Sequence, residues 1–369
     1  MRNFDFRSAS YIGILNKASP PDFEDTHYYF SQSPQLSTTF TSYSIHHHPP
    51  LLLIFTPMTP FISICIPAYQ RPQYLKRLLD SICIQTYNNF EVIVTDDSPD
   101  DTVEKLGTEY SSLLPLRYYH NPKALGTPAN WNKAISMAKG TWIKLMHDDD
   151  WFADKDALEQ FAACAQKNQE AFIFSAYANV YENTGRQRMI FPEKFRLKQL
   201  CKNPASILSK NIIGHPSTTL YRNNGDFVYD EHLKWLVDVE MYIRMLQKKE
   251  AVYIPQPLVK IGMSDSQVTA QVKTVPEVEI PEHLYFLNKT GTGILKNILA
   301  YDYFWRFIRN FNIRTTGYFQ RYDQKNTAPQ ILNRMIGFQR KIPRRLIQIG
   351  IISKSLMLLH YLSNKKYLK

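Results

Sequence analysis

A regular alternation of apolar strands and amphipathic helices between Phe61 and Gln166 constrains the fold of this chain more than any other feature. Short apolar runs predict buried strands at 61–67, 90–95, 116–120 and 141–146. Apolar residues at helical spacing predict helices at 73–85, 102–113, 128–139 and 157–166. This order predicts an α/β fold, with a mostly parallel sheet and helices on both faces.

Polar clusters follow three of the predicted strands directly. They are residues 67–71 (PAYQR), 96–98 (DDS) and 148–150 (DDD). Ligands of open parallel sheets bind outside the carboxyl ends of the strands, and these ends lie at one edge. The three clusters are therefore expected to form one binding edge.

The acidic triplet Asp148, Asp149 and Asp150 is the most informative cluster. Adjacent carboxylates at the end of a buried strand repel one another, and a divalent cation relieves that repulsion. Oxygen ligands suit Mg²⁺ or Mn²⁺, and no nearby cysteine or histidine pair indicates zinc. The alternative interpretation is an Asp-rich surface turn that caps the next helix.

Two further clusters suggest recognition of a nucleotide. Asp96 and Asp97 are candidates for hydrogen bonds to a ribose or base, although the same residues are common in turns and N-caps. Tyr69 offers a ring on which a base can stack. Arg71 is a candidate phosphate contact, or else a solvated arginine at a helix start.

The run from Phe61 to Phe152 resembles the nucleotide-binding half of family-2 glycosyltransferases with the GT-A fold. Residues 63–102 (SICIPAYQRPQYLKRLLDSICIQTYNNFEVIVTDDSPDDT) resemble the opening strand, helix and Asp-Asp-x-Ser turn of that family. Residues 121–151 (NPKALGTPANWNKAISMAKGTWIKLMHDDDW) resemble its Gly/Asn loop, the helix that ends in Lys-Gly, and its metal-binding aspartates.

The resemblance implies roles for residues of the first two clusters. Tyr69 stacks near the nucleotide base, while Pro67 and Ala68 shape the strand end. Asp97 accepts a hydrogen bond from the base, and Asp96 supports it.

The resemblance also implies a lining for the rest of the donor site. Asp149 becomes the main ligand of Mg²⁺ or Mn²⁺, and Asp148 contacts the ribose or a metal-bound water. The donor pocket is expected to be lined by Gly126, Asn130 and Asn132. The chain departs from the frequent Asp-x-Asp-Asp form because His147 occupies the first place, which weakens the metal-ligand role at that position.

The catalytic base is expected in the second half of the chain. Residues 235–244 (WLVDVEMYIR) resemble an acidic motif at the start of a late helix, usually Glu-Asp. Val237 replaces the Glu, so the resemblance implies that Asp238 is the base; the alternative is a helix cap. His215 and Ser217 are expected on the acceptor side, although His215 could equally be a structural loop residue.

The basic character of the chain belongs to its C-terminal end. From Arg306 to Lys369 there are 14 Lys and Arg and one acid, whereas the other 305 residues carry 30 basic and 32 acidic groups. Residues 282–312 and 331–362 are predicted to be mostly helical. The apolar segment 346–362 is expected to lie on an anionic membrane surface, or else to pack on the catalytic domain. No motif indicates nucleic-acid binding.

Four segments follow from these patterns. Residues 1–57 are expected to be a disordered or non-native extension, with Met58 as the native start. Residues 58–170 form the nucleotide-sugar-binding half, 171–275 the acceptor and catalytic half, and 276–369 a helical basic region with a membrane contact. Four scattered cysteines predict reduced, buried thiols in a cytosolic protein.

The resemblance implies a metal-dependent inverting glycosyltransferase. Its partners would be a nucleotide-sugar donor and a glycan or lipid-linked acceptor, and it would work at the cytoplasmic face of the cell membrane. The alternatives are a sugar-phosphate nucleotidyltransferase, and a non-enzymatic membrane- or nucleic-acid-binding protein on an inactive nucleotide-binding fold.

Overall fold

The computed structural model describes residues 59–264, 274–324 and 326–368. These residues belong to one unit, from Thr56 to Lys369. The predicted extension 1–57 lies outside the described residues.

The described residues form a nine-stranded sheet. The strands along the chain are β1 (Ile62–Ala68), β2 (Phe90–Asp96), β3 (Leu116–His120), β4 (Trp142–Leu145), β5 (Trp151–Phe152), β6 (Phe172–Tyr181), β7 (Gln187–Ile190), β8 (Thr219–Arg222) and β9 (Ala251–Met263). Their spatial order is β3-β2-β1-β4-β8-β6-β9-β5, and β7 pairs with β6.

The two halves of the sheet differ in strand direction. Strands β3, β2, β1 and β4 are parallel, as the sequence predicts for its first half. The join to the second half is antiparallel, through β4 with β8 and β8 with β6. The α/β class is confirmed, and the whole sheet is mixed.

The α-helices are α1 (Pro72–Cys83), α2 (Thr102–Tyr110), α3 (Ala129–Ser136), α4 (Ala157–Lys167), α5 (Lys194–Lys202), α6 (Val237–Leu246), α7 (Pro276–Thr290), α8 (Ile298–Asn310), α9 (Gln330–Arg340), α10 (Arg344–Ile347) and α11 (Gly350–Asn364). Helix α5 is followed directly by a separate 3-10 turn, Pro204–Ser209. Pro204 lacks the N–H that would continue α5, and the Asn203 side chain caps the new turn.

Helices cover both faces of the parallel half. On β1, Ile64 and Ile66 belong to the same apolar core as Leu75 and Leu79 of α1. The intervening Cys65 belongs to a second core that includes Ala134 of α3. Successive strand residues alternate between faces, so both faces of β1 are buried. All four cysteines are free, but only Cys65 is buried, so the prediction of buried thiols is wrong for the exposed Cys83 and Cys201.

The C-terminal region is helical, as predicted, but its final helix is interrupted. Pro343 separates α9 from α10, and α11 begins at Gly350. One face of α11 packs against α8: the Trp305 indole donates to Ser353 Oγ at 3.1 Å, and Tyr301 is hydrogen bonded to His360 at 2.6 Å. Across the part of the chain that the structure describes, no helix has the length and apolar character needed to cross a membrane.

Candidate active site

The acidic triplet lies in the turn between β4 and β5, at the carboxyl edge of the parallel strands. Arg71, just before α1, forms an ion pair with Asp148 and a second one with Asp149, at 3.2 Å. The surface-turn alternative is wrong for this triplet, because all three aspartates are buried.

Three side chains of this turn can share a cation. His147, Asp149 and Asp150 each offer one ligand atom, and these atoms lie within 4.8 Å of one another. Nε2 of His147 and Oδ2 of Asp150 are buried and have no hydrogen-bond partner among the described residues. Buried polar atoms without partners are costly, and a divalent ion would satisfy both. The residues therefore fit a cation, and His147 and Asp150 join Asp149 as candidate ligands.

Burial dominates the electrostatics of this turn. It raises the pKa of Asp148 to about 7, although the positive charge of Arg71 acts in the opposite direction. Burial and the neighbouring charge of Asp149 raise the pKa of Asp150 well above its usual value. Burial lowers the pKa of His147 to about 4, so its imidazole is neutral at pH 7. A neutral imidazole is the form of histidine that binds a metal ion, and a divalent cation would favour the ionised form of the crowded carboxyls.

Residues that the sequence did not single out hold the turn in place. Arg77 of α1 donates to the Asp149 carbonyl at 2.9 Å and lies over the Trp151 ring at 3.7 Å. The backbone N–H of Gly262 in β9 donates to Asp150 at 3.2 Å. The buried Lys144 donates to the Ser217 carbonyl, and burial lowers its pKa to about 7. A lysine inside an apolar strand is the one sequence signal that could have identified this support.

Asp97 organises the glycine loop that follows β3. Its carboxylate accepts hydrogen bonds from Asn121 Nδ2 at 2.9 Å, Leu125 N at 3.0 Å and Gly126 N at 2.8 Å. Gly126 has a φ of +74°, a conformation that favours glycine. An ionised carboxylate offers about four acceptor sites, so one remains for a ligand.

The rest of the first two clusters surrounds Asp97. Asp96 is fully buried and accepts from Tyr118 OH at 2.7 Å and from Ser98 N at 2.8 Å. Pro67 and Ala68 are buried at the end of β1, where Ala68 is in register with Asp96. Tyr69 is 51% exposed, so its ring is accessible to a base.

Asn130 and Asn132 are engaged within the protein. Asn130 donates to the Thr95 carbonyl at 3.1 Å and accepts from Asn121 at 3.0 Å. Asn132 donates to the Tyr229 carbonyl and accepts from its N–H, both at 2.8 Å. Their amides therefore join α3 to neighbouring segments, in contrast to the expectation that they line the donor pocket.

Asp238 lies in the first turn of α6 and is half-buried. Leu236 occupies the N-cap position, but Asp238 accepts a hydrogen bond from the first-turn N–H of Val239 at 2.8 Å, so the alternative of a helix-stabilising role stays open. Asn211 Nδ2 donates to Asp238 Oδ2 at 3.1 Å. Burial raises the pKa of Asp238 to about 6, although hydrogen bonds oppose the shift. A carboxylate with such a pKa is suited to accept a proton near neutral pH.

The loop from Asn211 to Ser217 lies between the acidic turn and Asp238. Burial lowers the pKa of His215, and the charge of Asp149 acts in the opposite direction, so His215 lies in the field of the Asp149 carboxylate. Ser217 is fully buried and its Oγ accepts from His147 N at 3.0 Å. The expectation that Ser217 lines the acceptor side is wrong, because it has no exposed surface.

Comparisons with known proteins agree with this arrangement. Residues 63–226 match the profile of glycosyl transferase family 2. The chain is 30% identical over 192 residues to WcaA of Escherichia coli K12, whose name describes a glycosyl transferase of colanic acid biosynthesis. The match covers 51% of this chain and 66% of that protein. It is 29% identical over 143 residues to the E. coli UDP-Glc:alpha-D-GlcNAc-diphosphoundecaprenol beta-1,3-glucosyltransferase WfgD, with coverages of 38% and 55%.

The fold is also similar to solved structures. The structure of residues 1–349 of TarS from S. aureus in complex with UDP-GlcNAc has a TM-score of 0.53 to this chain. The sequence identity is 20%, and the match covers 83% of this chain and 88% of that one. The chain spans less than two thirds of the length of either E. coli relative. Together, the profile match and the relatives show that residues 63–226 are a glycosyl transferase family 2 domain, and the fold agrees with this.

Proposed function

We propose that the protein is a metal-dependent inverting glycosyltransferase that moves a sugar from a nucleotide-sugar donor to a glycan or lipid-linked acceptor. One observation carries this proposal above the others. The cluster of His147, Asp149 and Asp150 lies at the carboxyl edge of the sheet, and Asp238, with a raised pKa, follows the loop that contacts this edge.

The first half binds the donor in this proposal. The Tyr69 ring stacks on the base, and Asp97 holds the Gly126 loop and offers its remaining acceptor site. His147, Asp149 and Asp150 would hold Mg²⁺ or Mn²⁺. When bound, such an ion stabilises the negative charge that grows on the leaving diphosphate.

Arg71 is the proposed phosphate contact of the donor site. In the structure its guanidinium forms ion pairs with Asp148 and Asp149. A cation on Asp149 would weaken that attraction, and Arg71 would then be available to contact a phosphate, as expected from its place after β1. Arginine matches the geometry of phosphate oxygens well.

The second half supplies the proton acceptor. The acceptor hydroxyl loses its proton as it attacks the anomeric carbon, and Asp238 Oδ takes that proton as general base. Such a step contributes on the order of 10²–10⁴ in rate. Attack from the side opposite the leaving diphosphate inverts the anomeric centre.

Turnover of nucleotide sugars with Mn²⁺ tests this function. Purified protein should release nucleoside diphosphate from at least one common donor, and Asp238→Asn should abolish sugar transfer while nucleotide binding persists. Unchanged turnover in Asp238→Asn would reject the base assignment. Release of pyrophosphate from a nucleoside triphosphate and a sugar phosphate would instead indicate a nucleotidyltransferase. Absence of turnover together with nucleotide affinity that is independent of Asp149 would favour the non-enzymatic alternative.

The proposed site of action is the inner face of the cell membrane, reached through the C-terminal helices. The outer face of α11 is apolar and exposed, with Ile351 at 81% and Leu362 at 61% exposure. Lys354 lies on the same exposed face, and further exposed basic residues flank the helix: Arg340, Lys341, Arg344, Arg345, Lys365 and Lys366. An apolar face with a basic rim favours an anionic lipid surface, where each cation contributes about 1 kcal/mol.

Vesicle co-sedimentation tests the membrane contact. The protein should bind vesicles of phosphatidylglycerol with phosphatidylcholine, and less well those of phosphatidylcholine alone. The triple change Ile351→Ser, Leu358→Ser and Leu362→Ser should abolish binding. The exposed Ile84 and Leu113, changed to Ser together, serve as the control and should leave it intact. Equal binding by both variants would contradict the assignment of the face.

A further inference from the structure

The hairpin of β6 and β7 forms one wall of an open cleft outside the acidic turn. The cleft has a volume of about 560 Å³ and is lined by Tyr181, Asn183, Thr184, Arg186, Arg188, Met263 and Ser264. Strand β9 ends in the same cleft, one residue after Gly262, whose N–H holds Asp150. The cleft therefore adjoins the candidate active site.

The register of the hairpin shows which side chains share the face toward the site. Asn179 of β6 pairs with Arg188 of β7, and Tyr177 pairs with Ile190. Opposite residues of an antiparallel pair project from the same face, as do residues two apart along a strand. Tyr177 and Arg188 therefore share a face.

That face leads back to the predicted acceptor side. The ring of Tyr177 lies 6.1 Å from the His215 ring, at an interplanar angle of 80°. Burial raises the pKa of Tyr177, while the charge of Arg188 acts in the opposite direction, so the guanidinium lies near this phenol. A row of side chains thus runs from His215, past Tyr177, to Arg188 and the cleft.

The polar groups of this row are available to a ligand. In the described part of the chain, neither Arg186 nor Arg188 forms an ion pair, and both are exposed. The Oδ1 atom of Asn179 is buried and has no hydrogen-bond partner among the described residues. Two unpaired guanidinium groups suit a phosphate, and the buried amide oxygen suits a sugar hydroxyl.

We propose that this cleft is a binding site for a phosphate or diphosphate group on the acceptor, held by Arg186 and Arg188. The proposal rests on the function proposed above, which it deepens by naming a chemical class for the acceptor. The phosphate can belong to a lipid diphosphate or to a polyol phosphate chain.

Calorimetric titration with farnesyl diphosphate, inorganic pyrophosphate and farnesol tests the site. The titrations are run in EDTA at fixed ionic strength, because the donor diphosphate depends on the metal site whereas the arginine site does not. Farnesyl diphosphate should bind the wild-type protein, and the double variant Arg186→Gln, Arg188→Gln should weaken binding about tenfold or more. Farnesol should not bind.

A matched control removes two charges at the other edge of the sheet. Lys139 and Lys167 are exposed and precede β4 and β6, so they lie at the amino ends of these strands. Changing both to Gln should alter farnesyl diphosphate affinity by less than about twofold. Equal losses in both double variants would overturn the proposal, because only overall charge would then matter.

The remaining outcomes separate the two phosphate sources and the two proposals. Tighter binding of farnesyl diphosphate than of pyrophosphate supports a lipid-linked acceptor, and equal binding supports a phosphate chain without lipid. Binding that Asp149→Asn abolishes and the arginine variant retains would overturn this site alone. If the wild-type protein shows no Mn²⁺-dependent binding of nucleotides, the proposed function is overturned instead. Absence of binding by all three probes would also reject the phosphate site.

Discussion

At the scale of single residues, Asp238 shows how burial and hydrogen bonding act on one carboxyl in opposite directions. Burial raises its pKa to about 6, while the Asn211 amide and backbone N–H groups favour the ionised form. The base is active when deprotonated, so sugar transfer should fall as the pH drops below about 6. The balance between these effects gives Asn211 a measurable role as a positioning residue.

Asn211→Asp should move the acidic limb of the pH–rate profile to higher pH. The substitution keeps an oxygen that can accept from the N–H groups of Ile213 and Gly214. It replaces the amide that donates to Asp238 with a second carboxylate, which raises the pKa of Asp238 by on the order of one unit. The profile of kcat against pH measures the shift. Asn310→Asp, at an exposed position, is the control; an unshifted profile for Asn211→Asp would contradict Asp238 as the titrating base.

Residue types at strand ends identified the acidic turn and Asp97, but not the partners of each side chain. Asn130 and Ser217 were expected to line ligand-binding surfaces, but the side chain of each is hydrogen bonded to other residues of the protein. The sequence did not indicate Asn211 and Arg77, because their partners, the Asp238 carboxylate and the Asp149 carbonyl, are distant in sequence. A polar side chain reveals its role only when its hydrogen-bond partners are known.

At the scale of elements, β9 supports the acidic turn because its backbone packs closely against the backbone of that turn. A Cβ on Gly262 would lie 2.5 Å from the Asp149 carbonyl oxygen and 3.0 Å from Glu182. The first distance is shorter than normal packing allows, and the second is at its limit. The nearer atom belongs to the backbone, so it cannot move aside as a flexible side chain could. The absence of a side chain at Gly262 is therefore a condition for the geometry of the candidate metal ligands.

Gly262→Ala should displace the acidic turn and weaken Mn²⁺ binding by about tenfold. This is the loss of affinity that follows when a group that orients metal ligands is removed. Electron paramagnetic resonance of free Mn²⁺ measures the change. Gly337 of α9 is the control, because a Cβ there meets nothing within 4 Å. Gly337→Ala should leave Mn²⁺ affinity unchanged and raise the free energy of unfolding by up to about 1 kcal/mol. Unaltered Mn²⁺ affinity in Gly262→Ala would show that β9 does not support the site.

Element identities in the first half followed from periodicity, whereas the second half depended on turns and long-range pairs. Strands β1 to β4 and helices α1 to α4 were predicted with small errors at their ends. Strand β9 runs from Ala251 to Met263 without a continuous alternating pattern in its sequence. Pro255 and Pro257 interrupt its alternation, and its register with β6 shifts at that point.

At the scale of the whole molecule, acidic and basic residues lie in different regions, and the sheet topology determines which loops meet at the acidic turn. The described residues place a buried acidic cluster at one edge of the sheet and a basic helical region after it. The antiparallel connection through β8 was not predictable, because Ile143 pairs with Tyr221 across a long stretch of sequence. That connection brings the loop of His215 against the acidic turn and so completes the proposed active site.

Binding of nucleoside diphosphates with and without Mn²⁺ tests the central claim most directly. UDP, GDP and dTDP are titrated calorimetrically into the wild-type protein and Asp149→Asn. At least one should bind with Mn²⁺ and not with EDTA, and Asp149→Asn should weaken that binding at least tenfold, about 1.4 kcal/mol. Thermal unfolding with and without the ligand confirms that the variant is folded. Equal nucleotide affinity in both proteins, or binding indifferent to Mn²⁺, would contradict a metal-dependent donor site at this edge.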